Sequence, residues 1–228
     1  GFRPSAEAIK RIYVVGLPSI AMQCVGSVMT FLMNQILMAF TATAVAVFGV
    51  YFKLQSFIFM PVFGMNNGVV PIVAYNYGAR NRKRMVETIK RGALYASIIM
   101  VFGTVLFWVI PGPLLKIFDA TDTMLSVGIP ALRIISISFC MAGACIALGA
   151  SFQALGRSLY SMITSIVRQL VFLIPIAYVL ARYGASVGNS DLVWWSYPIA
   201  EVFSLTLTLF FFRHLYKTVT AQLPEGRE

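Results

Sequence analysis

The chain has 228 residues, of which 59% are hydrophobic and only 11% charged, with a mean hydropathy of +0.81. A soluble domain wets its surface with roughly 25% charged residues, so this composition excludes one and makes lipid the outer solvent. The formal charge of +10 would suit nucleic acid if the cations shared one wetted face. Instead they sit at the ends of long apolar runs, the distribution of membrane topology signals, and no nucleic-acid partner is expected.

The elements in chain order are six apolar spans. Residues 1–11 carry an amphipathic basic entry with Lys10 and Arg11. No side chain from Ile12 to Phe52 is charged, and after Lys53 a second uncharged run reaches Ala79. These runs predict two helices, over about 12–39 and 44–77, with a short turn near Phe40 to Thr43. The basic cluster Arg80, Arg82, Lys83, Arg84, Lys90 and Arg91 closes the pair. A third span over 92–110 stops at Pro111-Gly112-Pro113, which cannot continue a helix. A polar loop from Pro111 to Thr123 leads to a fourth span over 124–155, ending at Gly156-Arg157. The fifth covers 158–180, and the loop from Arg182 to Leu192 is rich in Gly, Ser and Asn. The sixth, over 193–213, opens on an aromatic belt, Trp194-Trp195, and residues 218–228 form a tail.

With both termini cytoplasmic, this count puts thirteen basic residues inside and only Lys116 and Arg182 outside, the positive-inside bias of a plasma-membrane protein. The expected fold is therefore an all-α integral membrane bundle of six transmembrane helices. Cys24, Cys140 and Cys145 lie in apolar stretches without zinc or disulfide spacing and read as small buried side chains.

Four ionisable residues lie within the spans: Lys53, Arg133, Arg168 and Glu201. At eight to ten residues from a helix end each would sit ~12–15 Å deep. An unpaired charge there costs at least ~2.5–3.5 kcal/mol, so such groups face a bundle interior or a wet cavity. Arg168 and Glu201 are at matching depth on consecutive spans and can pair; Lys53 and Arg133 then lack an anion in this chain. Pro61, Gly64, Gly68 and Pro71 fall in the second span beside Asn66 and Asn67. Prolines remove backbone donors, and interrupted polar helices point to a transport site, though a kinked packing helix with a Gly64–Gly68 contact would give the same pattern. Gln23, Asn34, Gln35, Gln55 and Gln153 add polarity to the apolar runs.

No phosphate-cradling loop, zinc pair or nucleophile elbow is present, and Glu201 is the one buried carboxylate, so no enzyme is expected. The chemistry fits a secondary transporter, which needs only binding sites and alternating access.

Several motifs carry a family resemblance. Val15-Gly16-Leu17-Pro18-Ser19, PIVAYNYGARNR (71–82), ALRIISISF around Arg133, FQALGR (152–157) and Arg168-Gln169 before Pro175 fall in order over residues 1–217. They resemble the C-terminal six-helix lobe of the multidrug and toxic compound extrusion (MATE) transporters. The resemblance implies one lobe of a two-lobe, twelve-helix antiporter, with Gly1 to Ser5 as the end of an inter-lobe linker. It implies an N-terminal lobe as partner, a small organic substrate (organic cations, drugs or metabolites) and sodium or proton as coupling ion, with no other cofactor. Some members hold coupling acids in this lobe's first and fourth helices. Here those helices offer Gln23, Asn34, Gln35 or Arg133, so coupling would rest on an acid of the absent lobe, expected to approach Lys53 or Arg168. The expected pathway residues are Gln23, Asn34, Lys53, Asn66, Asn67, Arg133, Arg168 and Glu201. Two alternatives stand beside it: a flippase-like exporter of an anionic lipid-linked substrate, which would use the excess of cations, and a non-transporting membrane assembly subunit.

Overall fold

The computed structural model describes residues 5–222. Among them every regular element is helical: α1 (Ala6–Met38), α2 (Ala42–Gly78), α3 (Arg82–Val109), α4 (Pro111–Lys116), α5 (Asp122–Ser136), α6 (Phe139–Ala154), α7 (Ser158–Ile166), a π-helical turn (Val167–Leu173), α8 (Ile174–Val187), a 3₁₀ turn (Ser190–Trp195) and α9 (Ser196–Gln222). Five helical stretches are long and apolar enough to span a bilayer, and α5 with α6 makes a sixth, bent by 48°.

Local chemistry sets the ends. Thr41, Asn81 and Thr121 accept hydrogen bonds from the backbone N–H of Ala44, Arg84 and Met124, satisfying donors that the first helical turn leaves open. Gly156, after α6, and Gly188, after α8, both have φ of 71°, the left-handed stop that a Cβ would oppose. Gly1 to Pro4 and residues 223–228 lie outside the described residues, so the linker end and most of the tail are not placed. α1 runs through the amphipathic entry without a break, and α9 continues to Gln222.

Four expectations need correction. The second span is not broken: α2 is one helix of 37 residues through Pro61 and Pro71. The break falls in the fourth span, between Ser136 and Phe139. There the freed carbonyls are taken by hydroxyls and an indole. Ser136 Oγ and Trp108 Nε1 donate to the Arg133 carbonyl at 3.0 and 3.1 Å, Ser138 Oγ to Ile135 at 2.7 Å, and Thr104 Oγ1 to Ser136 at 3.0 Å. Serine hydroxyls that compete for helix carbonyls bend helices without proline.

Second, the segment after Pro111 is a short helix with proline at its first position, where a missing N–H does no harm. Third, the fifth span runs to Val187 and interrupts itself at the π turn. Fourth, of the Trp194-Trp195 pair Trp195 alone is exposed; Trp194 is buried in the core. Cys24 likewise is exposed, whereas Cys145 is buried.

The main hydrophobic core lies between α1, α2, α3, α5, α6, α8 and the 3₁₀ turn, with Phe48, Phe107, Phe139 and Trp194 fully buried. A smaller cluster, including Met85, Ile89, Phe152 and Leu215, closes the end of the bundle that carries the basic residues.

Candidate functional site

A cavity of about 860 Å³ opens on the side of the bundle formed by α1, α2, the π turn and α9. On α1, Gln23, Ser27, Thr30 and Asn34 recur at helical spacing and so share one face. On α2 the lining positions include Tyr51, Phe52, Gln55, Phe59, Met60 and Phe63, again a single stripe. The bend contributes Ser138 and Ala142, and α9 contributes Tyr197 and Glu201.

At the centre Arg168 Nη1 donates to Glu201 Oε1 at 3.5 Å, with side chains 27% and 9% exposed. Both halves of the pair line the cavity. The wider i→i+5 turn of a π segment carries Arg168 and Gln169. Pro175, two residues further on, brings no N–H to satisfy the turn before it. Gln169 Nε2 donates to Ser165 Oγ at 2.9 Å, holding the amide along the helix.

Hydroxyls in the wall are tied to their own helices. Thr30 Oγ1 donates to the Gly26 carbonyl at 2.9 Å and Ser56 Oγ to Phe52 at 2.8 Å, leaving lone pairs towards the cavity. The side-chain amides of Gln23, Asn34 and Gln55 make no hydrogen bond with other described residues. The wall thus combines free amides, one ion pair, and aromatic and methionine side chains, the last of which are flexible and polarisable.

Of the eight expected pathway residues, the structure brings Gln23, Asn34, Arg168 and Glu201 to this cavity and leaves four elsewhere. Lys53 is exposed, its ammonium 5.6 Å from the Phe118 ring centroid, beyond α4. The depth argument fails there because α2 is much longer than the ~30 Å hydrocarbon core. The middle of a 37-residue helix falls near Met60, leaving Lys53 about 10 Å nearer one end. Arg133 is exposed beside the bend, its carbonyl bound by Trp108. Asn66 is buried on the inner side of α2 with an unpartnered Oδ1, and Asn67 is exposed. Pro61, Gly64, Gly68 and Pro71 are exposed on α2, and nothing lies within 4 Å of a Cβ built on either glycine.

Tyr51 and Tyr197 were not anticipated as site residues. They form an edge-to-face pair with centroids 5.9 Å apart in the cavity wall, and the buried Tyr197 hydroxyl has no partner. The signal was the spacing: Tyr197 precedes Glu201 by four residues and so shares its face on α9. No cluster of metal-ligating side chains occurs among the described residues.

Several known proteins resemble the chain. The multidrug export protein MepA of Staphylococcus aureus (strain bovine RF122 / ET3-1) is 24% identical over 227 residues, 98% of this chain and 49% of the relative. The inward-facing conformation of a multidrug resistance MATE family transporter of the MOP superfamily matches at a TM-score of 0.85 and 22% identity, covering 99% of this chain and 51% of that one. The outward-facing conformation of such a transporter matches at 0.86 and 23%, covering 96% and 49%. The chain therefore spans about half the length of the relatives it matches. The sequence pattern of the MatE family covers residues 18–179, through α2, the bend and the π turn, and on that match the chain belongs to the MatE family.

Proposed function

We propose that this chain is one lobe of a two-lobe antiporter that exports organic cations, drugs or metabolites in exchange for sodium or protons. The observation that carries the reading is the open cavity with the Arg168–Glu201 pair in its wall. An ion pair at depth is tolerated beside water, and a passage for solutes supplies that water. The similar likeness to halves of inward- and outward-facing transporters supports a lobe that keeps its fold while access alternates.

The second lobe is proposed to cover the cavity and the exposed stripe that continues from it along α2, through Met60, Gly64, Asn67 and Pro71. Bare glycines let another helix approach closely. The thirteen-to-two distribution of basic residues supports both termini on the cytoplasmic side of the plasma membrane. The coupling acid is assigned to the second lobe, since Glu201 already faces Arg168.

An anionic lipid-linked cargo has less support, because Lys53 and Arg133 stand outside the cavity and Arg168 is neutralised. Efflux from everted vesicles carrying the full-length protein, under an imposed sodium or proton gradient, tests the proposal. Arg168→Ala should impair export at normal expression. Unchanged export would remove the pair from the passage, and gradient-independent behaviour would favour an assembly subunit.

A further inference from the structure

At the basic end of the bundle α3 and α9 each pack on α6 and leave a gap between themselves. The gap is a groove of about 470 Å³ that shares no lining residue with the larger cavity. Its walls are Val86 and Ile89 from α3 and Phe212 and Tyr216 from α9, and its rim carries Lys90, Arg213 and Lys217. Among the described residues no acidic one lines it. Glu87, on the same turn of α3, is engaged by Arg91.

The level of this groove in the membrane follows from the helices themselves. Trp108 near the far end of α3 and Trp195 at the start of the last span are exposed, as interfacial tryptophans are. Lys90 precedes Trp108 by 18 positions and Arg213 follows Trp195 by 18, each about 27 Å at ~1.5 Å per residue. That is close to the ~30 Å hydrocarbon thickness, so both cations sit at the opposite interface. One turn inward from each, on the same faces, Leu94 and Leu209 are exposed to lipid.

We propose that this groove is a binding site for an anionic phospholipid of the cytoplasmic leaflet. The headgroup phosphate lies between Lys90 and Arg213, the glycerol region rests on Phe212 and Tyr216, and the acyl chains continue along Leu94 and Leu209. Topology alone would account for cations at this end, but not for their placement around an apolar groove at phosphate depth. Basic pockets between helices at the cytoplasmic face select anionic headgroups in this way.

The test is thermal unfolding of the full-length protein in detergent with added phosphatidylglycerol, phosphatidylcholine or inorganic phosphate. Phosphatidylglycerol should raise the midpoint by about 3 °C at saturating lipid, and the other two should not. Lys90→Gln with Arg213→Gln should abolish the shift, while Lys116→Gln with Arg182→Gln at the opposite end should keep it. Val86→Trp, which fills the groove and leaves the charges, should also abolish it, and serves if the double variant does not fold. A shift retained by Val86→Trp, or produced equally by phosphatidylcholine or by inorganic phosphate, would overturn the proposal.

Discussion

The two sides of the bundle use glycine in opposite ways. On the dry side, a Cβ at Gly103 would run into Ile58, and one at Gly143 would stand 2.8 Å from Met100 Cγ and 3.2 Å from the Ala96 carbonyl oxygen. On the cavity side, a Cβ at Gly26 would meet only Gln169 Oε1 at 3.8 Å, and those at Gly64 and Gly68 would meet nothing within 4 Å. Lipid tails are as apolar as leucine, so helices in a bilayer gain by fitting closely rather than by escaping water. The dry side takes that gain in full. The cavity side forgoes it and leaves polar side chains such as Gln23 and Asn34 lining open space.

Gly143→Val should have the largest effect, because the added carbons meet backbone in α3. A loss of about 1–3 kcal/mol would appear as a lower unfolding midpoint and less monodisperse protein in detergent, and a neutral result would break the contrast. Next come Arg168→Gln and Glu201→Gln. A fully buried pair loses 3–5 kcal/mol when broken, but Arg168 is 27% exposed. Screening from the cavity brings the expected cost to about 1–2 kcal/mol. Each single variant should reduce export more than it reduces stability, and a double-mutant cycle should show the two effects to be coupled.

Lys53→Ala should remove only the contact with Phe118, about 0.5 kcal/mol, and leave export near the starting level. Export lost through Lys53→Ala, at unchanged expression, would return that residue to the pathway. The smallest stability effect belongs to Gly64→Ala, expected neutral or favourable by up to about 1 kcal/mol, since alanine is the better helix former. Its export rate is the sharper readout: a fall would mean that a second lobe packs on this stripe.

The six spans were legible because charge-free runs of about 20 residues between basic clusters leave few alternatives. The place of the break was not. Rules built on proline and glycine point to Pro61–Pro71, yet α2 passes through both prolines. The bend instead rests on Ser136 and Ser138 with Thr104 from a neighbouring helix, a partnership between residues 32 positions apart that no local pattern reveals. Half of the candidate site was legible for a related reason. Arg168 and Glu201 share a depth and a pairing logic, whereas a depth for Lys53 and Arg133 rests on span boundaries that the long α2 and the bent α5–α6 pair do not obey.

The turn over Val167–Leu173 carries one last consequence. A π turn inside an α-helix amounts to about one surplus residue held in a widened loop of backbone. Deleting a single position there would restore a regular helix while leaving the α7 and α8 flanks in their present packing. Because each residue advances the helix by about 100°, the same deletion would swing Arg168 or its neighbour off the cavity wall. Two homologous chains differing by one residue in this stretch would share a scaffold and differ in whether Glu201 has a counter-ion.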